Sequence, residues 1–335
     1  MKMLTQIYDN NGKRELTKDE LIFLYEKNEK ISGFGYSNDP RIKEIIEKRD
    51  KRNDLSKIYE CDESEIGLTE EDLLKKQLVY YQGKTIDYFI YKELRKLNYT
   101  LPDYINGSLI LSQLEDADDL KLPKNVSNYL FLDGLIFAKN LTLPEYVGGT
   151  LDLTDLTSQV GLVFPKNVGG SVNLRSLKSA SGLVLPQNIE GSLSLNELKS
   201  AKDLVLPDKI GGCLTLYSLV SSEGLVLPKS IGLHLVLSGL ISAEGLKLPE
   251  IIGGSLYLNR LTSLVGLTLP QSVGGIIYYN FTEYTLEQLK QLQQEEINRE
   301  RVSHNRRGFT TGIYTITFVL FVSVLSILIS IFIIK

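Results

Sequence analysis

Two histidines and two cysteines are all the imidazole and thiol chemistry in this 335-residue chain. His234 and His304 lie far in sequence from each other and from Cys61 and Cys213, so no zinc-ligand spacing forms, and neither a P-loop nor a nucleophile elbow is present. Gly33-Phe34-Gly35 resembles a phosphate loop only superficially, because no strand leads into it and the full glycine fingerprint is missing. The acidic run Glu60, Asp62, Glu63 and Glu65 lacks the spacing and the twelfth-position glutamate of a calcium loop, and reads as a solvated turn. N-x-[ST] sequons at Asn98, Asn106, Asn125, Asn140 and Asn280 read as corner residues. The expectation is a protein that is not an enzyme, with no catalytic residue, no cofactor, no metal and no evident small-molecule substrate. Carboxylates alone can run hydrolysis, so an enzymatic N-terminal part stays open as an alternative.

What could still recognise something is a set of side chains repeated at a fixed interval. Pro102, Pro123, Pro144, Pro165, Pro186, Pro207, Pro228, Pro249 and Pro270 are each 21 residues apart. Counted from the proline, the unit reads P-x-x-[IV]-G-G-S-L-x-L-x-x-L-x-S-A-x-G-L-x-L, as in PEIIGGSLYLNRLTSLVGLTL from Pro249 to Leu269. A fixed period of this length marks a stacked repeat architecture. Leucines at positions 8 and 10 alternate as a strand does and leave positions 9 and 11 facing outward. Those outward positions are the candidate partner-binding surface: Phe131, Asp152, Asn173, Val236 and Tyr257 at position 9, with Arg175, Asn196, Tyr217 and Asn259 at position 11. Their variety beside an invariant core suits display to a protein partner.

Two further features of the unit carry expectations. Leucines at positions 19 and 21 predict a second strand that ends against the next proline, which cannot donate to a ladder. Gly-Gly at positions 5 and 6 predicts a tight turn or a positive φ.

The pattern L-P-x-x-[IV] followed by L-x-L-x-x-L, quoted from LPDKIGGCLTLYSL at Leu206 to Leu219, resembles the leucine-rich-repeat proteins, in particular the short bacterial-type repeats with a Leu-Pro pair. The resemblance covers residues 102–279 and implies a solenoid that binds partner proteins. That family's fixed Asn is missing and Gly-Gly is inserted before the strand, so a straighter β-solenoid stands beside the curved horseshoe. The fold class expected is therefore a mainly β repeat solenoid, leucine-rich-repeat-like or β-solenoid, with a small α-helical N-terminal domain and one C-terminal transmembrane helix.

Residues 1–80 lack the repeat and predict helices. Thr17 and Glu20 form a capping box ahead of Leu21, Leu24 and Tyr25, Pro40 opens a second helix carrying Ile42, Ile45 and Ile46, and a third is expected near 69–80. Residues 81–101 read as a degenerate first coil, 102–269 as regular repeats, and 270–284 as a degenerate last coil, the solenoid spanning 81–284. A polar helical stalk and basic juxtamembrane segment are expected over 285–312. The stretch 313–334 holds 22 residues without a charge, about 33 Å as a helix and enough to cross a bilayer core. Arg299, Arg301, Arg306 and Arg307 precede it and only Lys335 follows, which by the positive-inside rule predicts a single-pass C-terminal anchor with the N-terminal part cytoplasmic. The first residues offer no apolar core of signal-peptide length.

Net charge is −4 with 23% charged residues, and no block is basic enough for nucleic acid. Two cysteines exclude a disulfide scaffold. The reading that follows is a membrane-anchored, non-enzymatic interaction scaffold. Its alternatives are an N-terminal helical effector or enzyme domain held at a membrane by the rod, and a self-assembling structural protein.

Overall fold

Every strand pairing across the repeats is offset by one full unit. Val168 opposes Ile189, Ile189 opposes Ile210, Leu193 opposes Leu214, and Leu214 opposes Leu235, so the 21-residue period is also the coil of the structure. The computed structural model describes residues 2–9, 14–27, 39–115, 117, 120–139 and 141–302. It is a β-solenoid of about nine turns with a few helices. Gly33-Phe34-Gly35, Asn140, His304, Arg306, Arg307 and the apolar stretch 313–334 lie outside the described residues. Among the described residues no helix is long and apolar enough to cross a membrane.

Two parallel sheets of eleven strands run the length of the rod, the second closing on one antiparallel strand. The first uses positions 3 and 4 of each unit, as in Tyr104–Ile105 and Asn188–Ile189; the second uses positions 8 and 9, as in Leu109–Ile110 and Leu193–Ser194. The branched residue at position 4 and the leucines at 8, 10 and 13 are buried coil after coil, as with Ile189, Leu193, Leu195 and Leu198. All nine repeat prolines are buried. A parallel ladder exposes each edge only at the rod's ends, so each coil's backbone groups are satisfied by its neighbours.

The second ladder therefore lies after the proline, where positions 19 and 21 had been expected to supply it. On that third side only isolated bridges form, at Thr142 with Val163 and Lys247 with Thr268. The reason is local. Position 19 closes a tight turn on position 16, for example Leu183 N donating to Ala180 O at 2.9 Å, and position 21 runs at once into a residue with no N–H. Too few consecutive extended residues remain for a ladder. The alternation itself persists: position 20 faces solvent, with Val163, Val184, Val205 and Val226 60–75% exposed.

The glycines are also reassigned. Positive φ belongs to position 18, at Gly161, Gly182, Gly224, Gly245 and Gly266, which is the third residue of that tight turn. Gly-Gly at positions 5 and 6 is a close approach between coils instead: a Cβ on Gly169 or Gly232 would run into the carbonyl of the residue one coil below.

The rod's ends are closed differently. At the start, α1 (Lys2–Asp9), α2 (Lys18–Leu24), α3 (Pro40–Glu47) and α4 (Lys51–Tyr59) enclose Leu4, Ile7, Leu21, Leu24, Ile45 and Leu55. The capping box at Thr17 and Glu20 is formed, and Arg49 grips the buried Asp54 at 2.6 and 2.7 Å. The helix expected after Pro40 is two, because the first ends at Glu47 with Lys48 as its C-cap and Asp50 caps the next. After α5 (Glu70–Lys75), Tyr80–Tyr81 and Ile86–Asp87 join the two sheets, and a helix absent from the expectation, α6 (Tyr88–Lys96), replaces the third side. At the far end Asn280 and Phe281 both take positive φ, the requirement of a two-residue hairpin, and Thr282–Tyr284 folds back antiparallel over the open edge of the second sheet. Helix 286–302 then lies against the last coil rather than standing off as a stalk. Leu289 is buried, Glu296 accepts from Leu264 N at 2.7 Å and from the Tyr279 hydroxyl at 3.0 Å, and Gln293 donates to Leu264 O and Leu267 O, both at 2.7 Å.

Candidate functional site

The solenoid brings the position 9 and position 11 residues into two neighbouring columns beside the second sheet. Position 9 lies on the strand, and Phe131, Asp152, Asn173, Val236 and Tyr257 are all half-buried by their neighbours above and below. Position 11 lies where the chain turns: Arg175 and Tyr217 are exposed, Asn196 and Asn259 half-buried. The columns make their own contacts. Asn173 Nδ2 donates to Asp152 Oδ2 at 3.3 Å, the Ser238 hydroxyl donates to Asn259 Oδ1 at 3.0 Å, and Tyr257 stacks on Tyr278 at 4.7 Å with rings 7° apart.

Three acceptors in these columns have no donor. Asp133 Oδ1, Asn173 Oδ1 and Asn196 Oδ1 are buried and unbonded. A buried acceptor left without a donor costs about 1–3 kcal/mol. Asp133 and Asn196 share position 11 three coils apart, and Asn173 lies on the strand of the coil before Asn196. Together they form a strip of acceptors interleaved with donors, among them Arg175 and the amide nitrogens of Asn173 and Asn196.

Column 7 explains His234. At this position the side chain of one coil accepts from the backbone amide of the next: Ser171 Oγ from Ser192 N, Ser192 Oγ from Cys213 N, both at 2.9 Å, and Ser255 Oγ from Ile276 N at 3.2 Å. His234 Nδ1 takes the same place, accepting from Ser255 N at 2.8 Å. It is a packed substituent of the repeat serine, and Cys61 and Cys213 are free thiols. Among the described residues no group of His, Cys, Asp or Glu could hold a metal. The sequon residues Asn98 and Asn280 sit at positive φ, where asparagine is tolerated better than most residues.

One site was not found from the sequence. A cleft of about 570 Å³ opens where α2 and α4 lean over the outer face of the first sheet. Its floor is Tyr104, Asn125 and Tyr146, the position 3 residues of three successive coils, with Asn106 and Ser127 beside them. Its wall carries Lys27, whose amine donates to the Tyr80 hydroxyl at 3.3 Å and lies 5.2 Å from the Tyr80 ring centroid and 5.8 Å from that of Tyr59. Tyr59 stacks on Tyr80 at 4.4 Å and packs against Tyr104 at 4.6 Å. Burial, and secondarily the like charge of Lys51, pushes the Lys27 amine down to about 8. Burial likewise pushes the Tyr59 and Tyr80 hydroxyls upward. The signal available in the sequence was only a tyrosine at position 3 in two of the first three coils, which nothing connected to Lys27.

The chain matches no protein-family model, no curated protein and no solved structure.

Proposed function

We propose that the chain is a non-enzymatic, membrane-anchored interaction scaffold whose solenoid presents positions 9 and 11 to a protein partner, the apolar stretch 313–334 providing the anchor. The observation that carries this reading is the pair of columns at positions 9 and 11, where Arg175 and Tyr217 are exposed and the side chains differ from coil to coil while the core repeats. Self-assembly through coil edges is less well supported, because the hairpin strand Thr282–Tyr284 covers the edge of the second sheet.

The test places a photocrosslinking residue at Arg175 or Tyr217, both exposed on the proposed face, and at Val184 on the third side as control. The full chain is then irradiated at its own membrane. Adducts at 175 and 217 that are absent at 184 support the reading, and equal labelling from all three sites overturns it. A second arm replaces Asn196 by Leu. If the oxygen serves a partner, Asn196→Leu raises stability by about 1 kcal/mol while the adducts fade; a loss of stability would assign Asn196 to the fold instead.

A further inference from the structure

The cleft beside Lys27 sets a cation among tyrosine rings, two isoleucines, the amides of Asn106 and Asn125 and the Ser127 hydroxyl, with Glu26 also in its lining, and a half-buried cation is costly unless something is gained from it. The ammonium is half-buried, and among the described residues no carboxylate lies within salt-bridge distance of it. Its hydrogen-bond partner is a neutral phenol, Tyr80, and the charged group that acts on it is another cation, Lys51. A partly desolvated charge is ordinarily paired or neutralised. Elsewhere in the same helical cap the rule is kept, since Arg49 and Arg14 each hold a carboxylate, that of Asp54 and of Glu20.

The geometry of the remaining wall defines what would complete the pairing. Tyr104 and Tyr146 stand on the floor two coils apart, with the amide of Asn125 between them and Asn106 and Ser127 offering further hydrogen-bonding groups. Ile22 and Ile58 supply apolar contact from the helices above. The volume of about 570 Å³ lies within the range of small-molecule sites. An occupant needs a negative charge for Lys27 and a flat apolar body for the phenol rings and isoleucines.

We propose that this cleft is a binding site for a planar aromatic carboxylate, its charge held by the Lys27 ammonium and its ring lying against Tyr59, Tyr104 and Tyr146. The site is built by both parts of the molecule. Lys27 and Tyr59 come from the helical cap, and Tyr104, Asn125 and Tyr146 from the first three coils, so the ligand ties the cap to the rod. The proposal is independent of the acceptor strip, which lies on the other sheet.

The experiment uses the full chain in lipid nanodiscs and 2-naphthoate as probe, with 2-naphthalenemethanol as its neutral analogue and cyclohexanecarboxylate as its non-planar one. Binding is followed by ligand-observed NMR, and partitioning into lipid cancels between variants of the same preparation. Expected are saturable 2-naphthoate binding, at least tenfold weaker binding of both analogues, at least tenfold loss in Lys27→Met, and retention within about threefold in Lys27→Arg. Tyr146→Ala, at a half-exposed position of the sheet surface, should weaken 2-naphthoate severalfold with the thermal transition unchanged, which separates loss of the site from loss of the fold. Unchanged binding in a folded Lys27→Met protein, equal binding of the neutral analogue, or no saturable binding of 2-naphthoate would each overturn the proposal.

Discussion

Gly232→Ala and Gly245→Ala place the same methyl group in the same coil, and their costs should differ severalfold. Gly232 occupies position 5, where a Cβ would fall well inside contact distance of the Gly211 carbonyl oxygen and carbon. Both atoms are backbone and cannot swing aside, so the coils must separate locally by roughly 1 Å to restore normal contact. That movement stretches the two bonds that staple this corner, Gly232 N to Ile210 O and Leu233 N to Gly212 O, each 3.0 Å. Two weakened backbone bonds at about 1 kcal/mol each, with overpacking strain of about 1–3 kcal/mol, give a loss of about 3 kcal/mol or more. The array shows what partial accommodation looks like. Glu190, Ser127 and Asn106 fill position 5 in three coils, and the corner bond is 3.2 Å at Glu190 but 2.9 Å at Ser127 and 2.8 Å at Asn106, so the accommodation differs with the coil beneath. Gly245, by contrast, has φ +72 and nothing within 4 Å of its Cβ position. Its only cost is the left-handed conformation, about 1–2 kcal/mol for alanine. The neighbouring array supports that figure, since Asp203 stands at the equivalent position with φ 65. Urea titrations of the full chain, followed by circular dichroism, measure both. A Gly232→Ala loss no larger than that of Gly245→Ala would refute the close-approach account of Gly-Gly.

Deleting one whole unit, Pro186 to Leu206, should leave a folded rod one coil shorter, because Val168 then meets Ile210 and Val172 meets Leu214 in the register their neighbours already use; a ten-residue deletion should unfold it, and equal damage to the dichroism spectrum would show that the unit is wrong. The Lys27 amine sits at about 8 in the folded chain against 10.5 for a free lysine side chain, so between those values the unfolded state binds the extra proton and stability should rise with pH. The gain should be on the order of 2 kcal/mol between about pH 8 and 10. Above 10 it should reverse, as the buried hydroxyls of Tyr59 and Tyr80 hold protons that the unfolded chain releases. Lys27→Met should remove the rising limb, and a rise of equal size in that variant would assign it to other groups.

The parts of the fold that the sequence displayed are those where one residue type has one physical use. Buried leucine at positions 8, 10 and 13, a branched residue at 4 and proline at 1 recur because each coil meets an equivalent neighbour, and every pairing between repeat units carries the 21-residue offset. Glycine has two uses, and there the reading was incomplete: the chain does bend at positions 5 and 6, but without a positive φ. At position 18 it supplies a positive φ; at 5 and 6 it supplies the absence of a Cβ. A substitution pattern distinguishes them in hindsight, since Asp203 is tolerated at position 18, a residue type that also enters the left-handed region. The second strand was misplaced for a similar reason. Alternating leucines at 19 and 21 do alternate in burial with position 20, but a strand also needs consecutive donors, and the turn closing at 19 and the proline three residues later leave too few.

The candidate sites were legible in unequal measure, and the difference follows from how each is assembled. The columns at positions 9 and 11 are repeat-encoded: one periodicity places every member, so Asn173 and Asn196 could be assigned to a common face without coordinates. What periodicity could not give is which of their oxygens lack donors, because that depends on the identity of the residue one coil away, Asp152 serving Asn173 Nδ2 while nothing serves Oδ1. The Lys27 cleft is encoded by no single pattern. It needs the end of α2, the end of α4 and three coils of the first sheet, elements separated by up to a hundred residues or more in sequence and joined only when the helical cap docks through Ile66 and Tyr80 onto the first ladder. A repeat array is well suited to such a site. Its coils supply a regular floor at a fixed spacing, and the one place where the regular surface meets a different kind of structure is at a cap. Local rules are broken there first: a lysine with no carboxylate among the described residues in salt-bridge distance, and tyrosines stacked on one another at the edge of the first ladder. Conflicts of that kind between local preference and global fold collect where a chain recognises something other than itself.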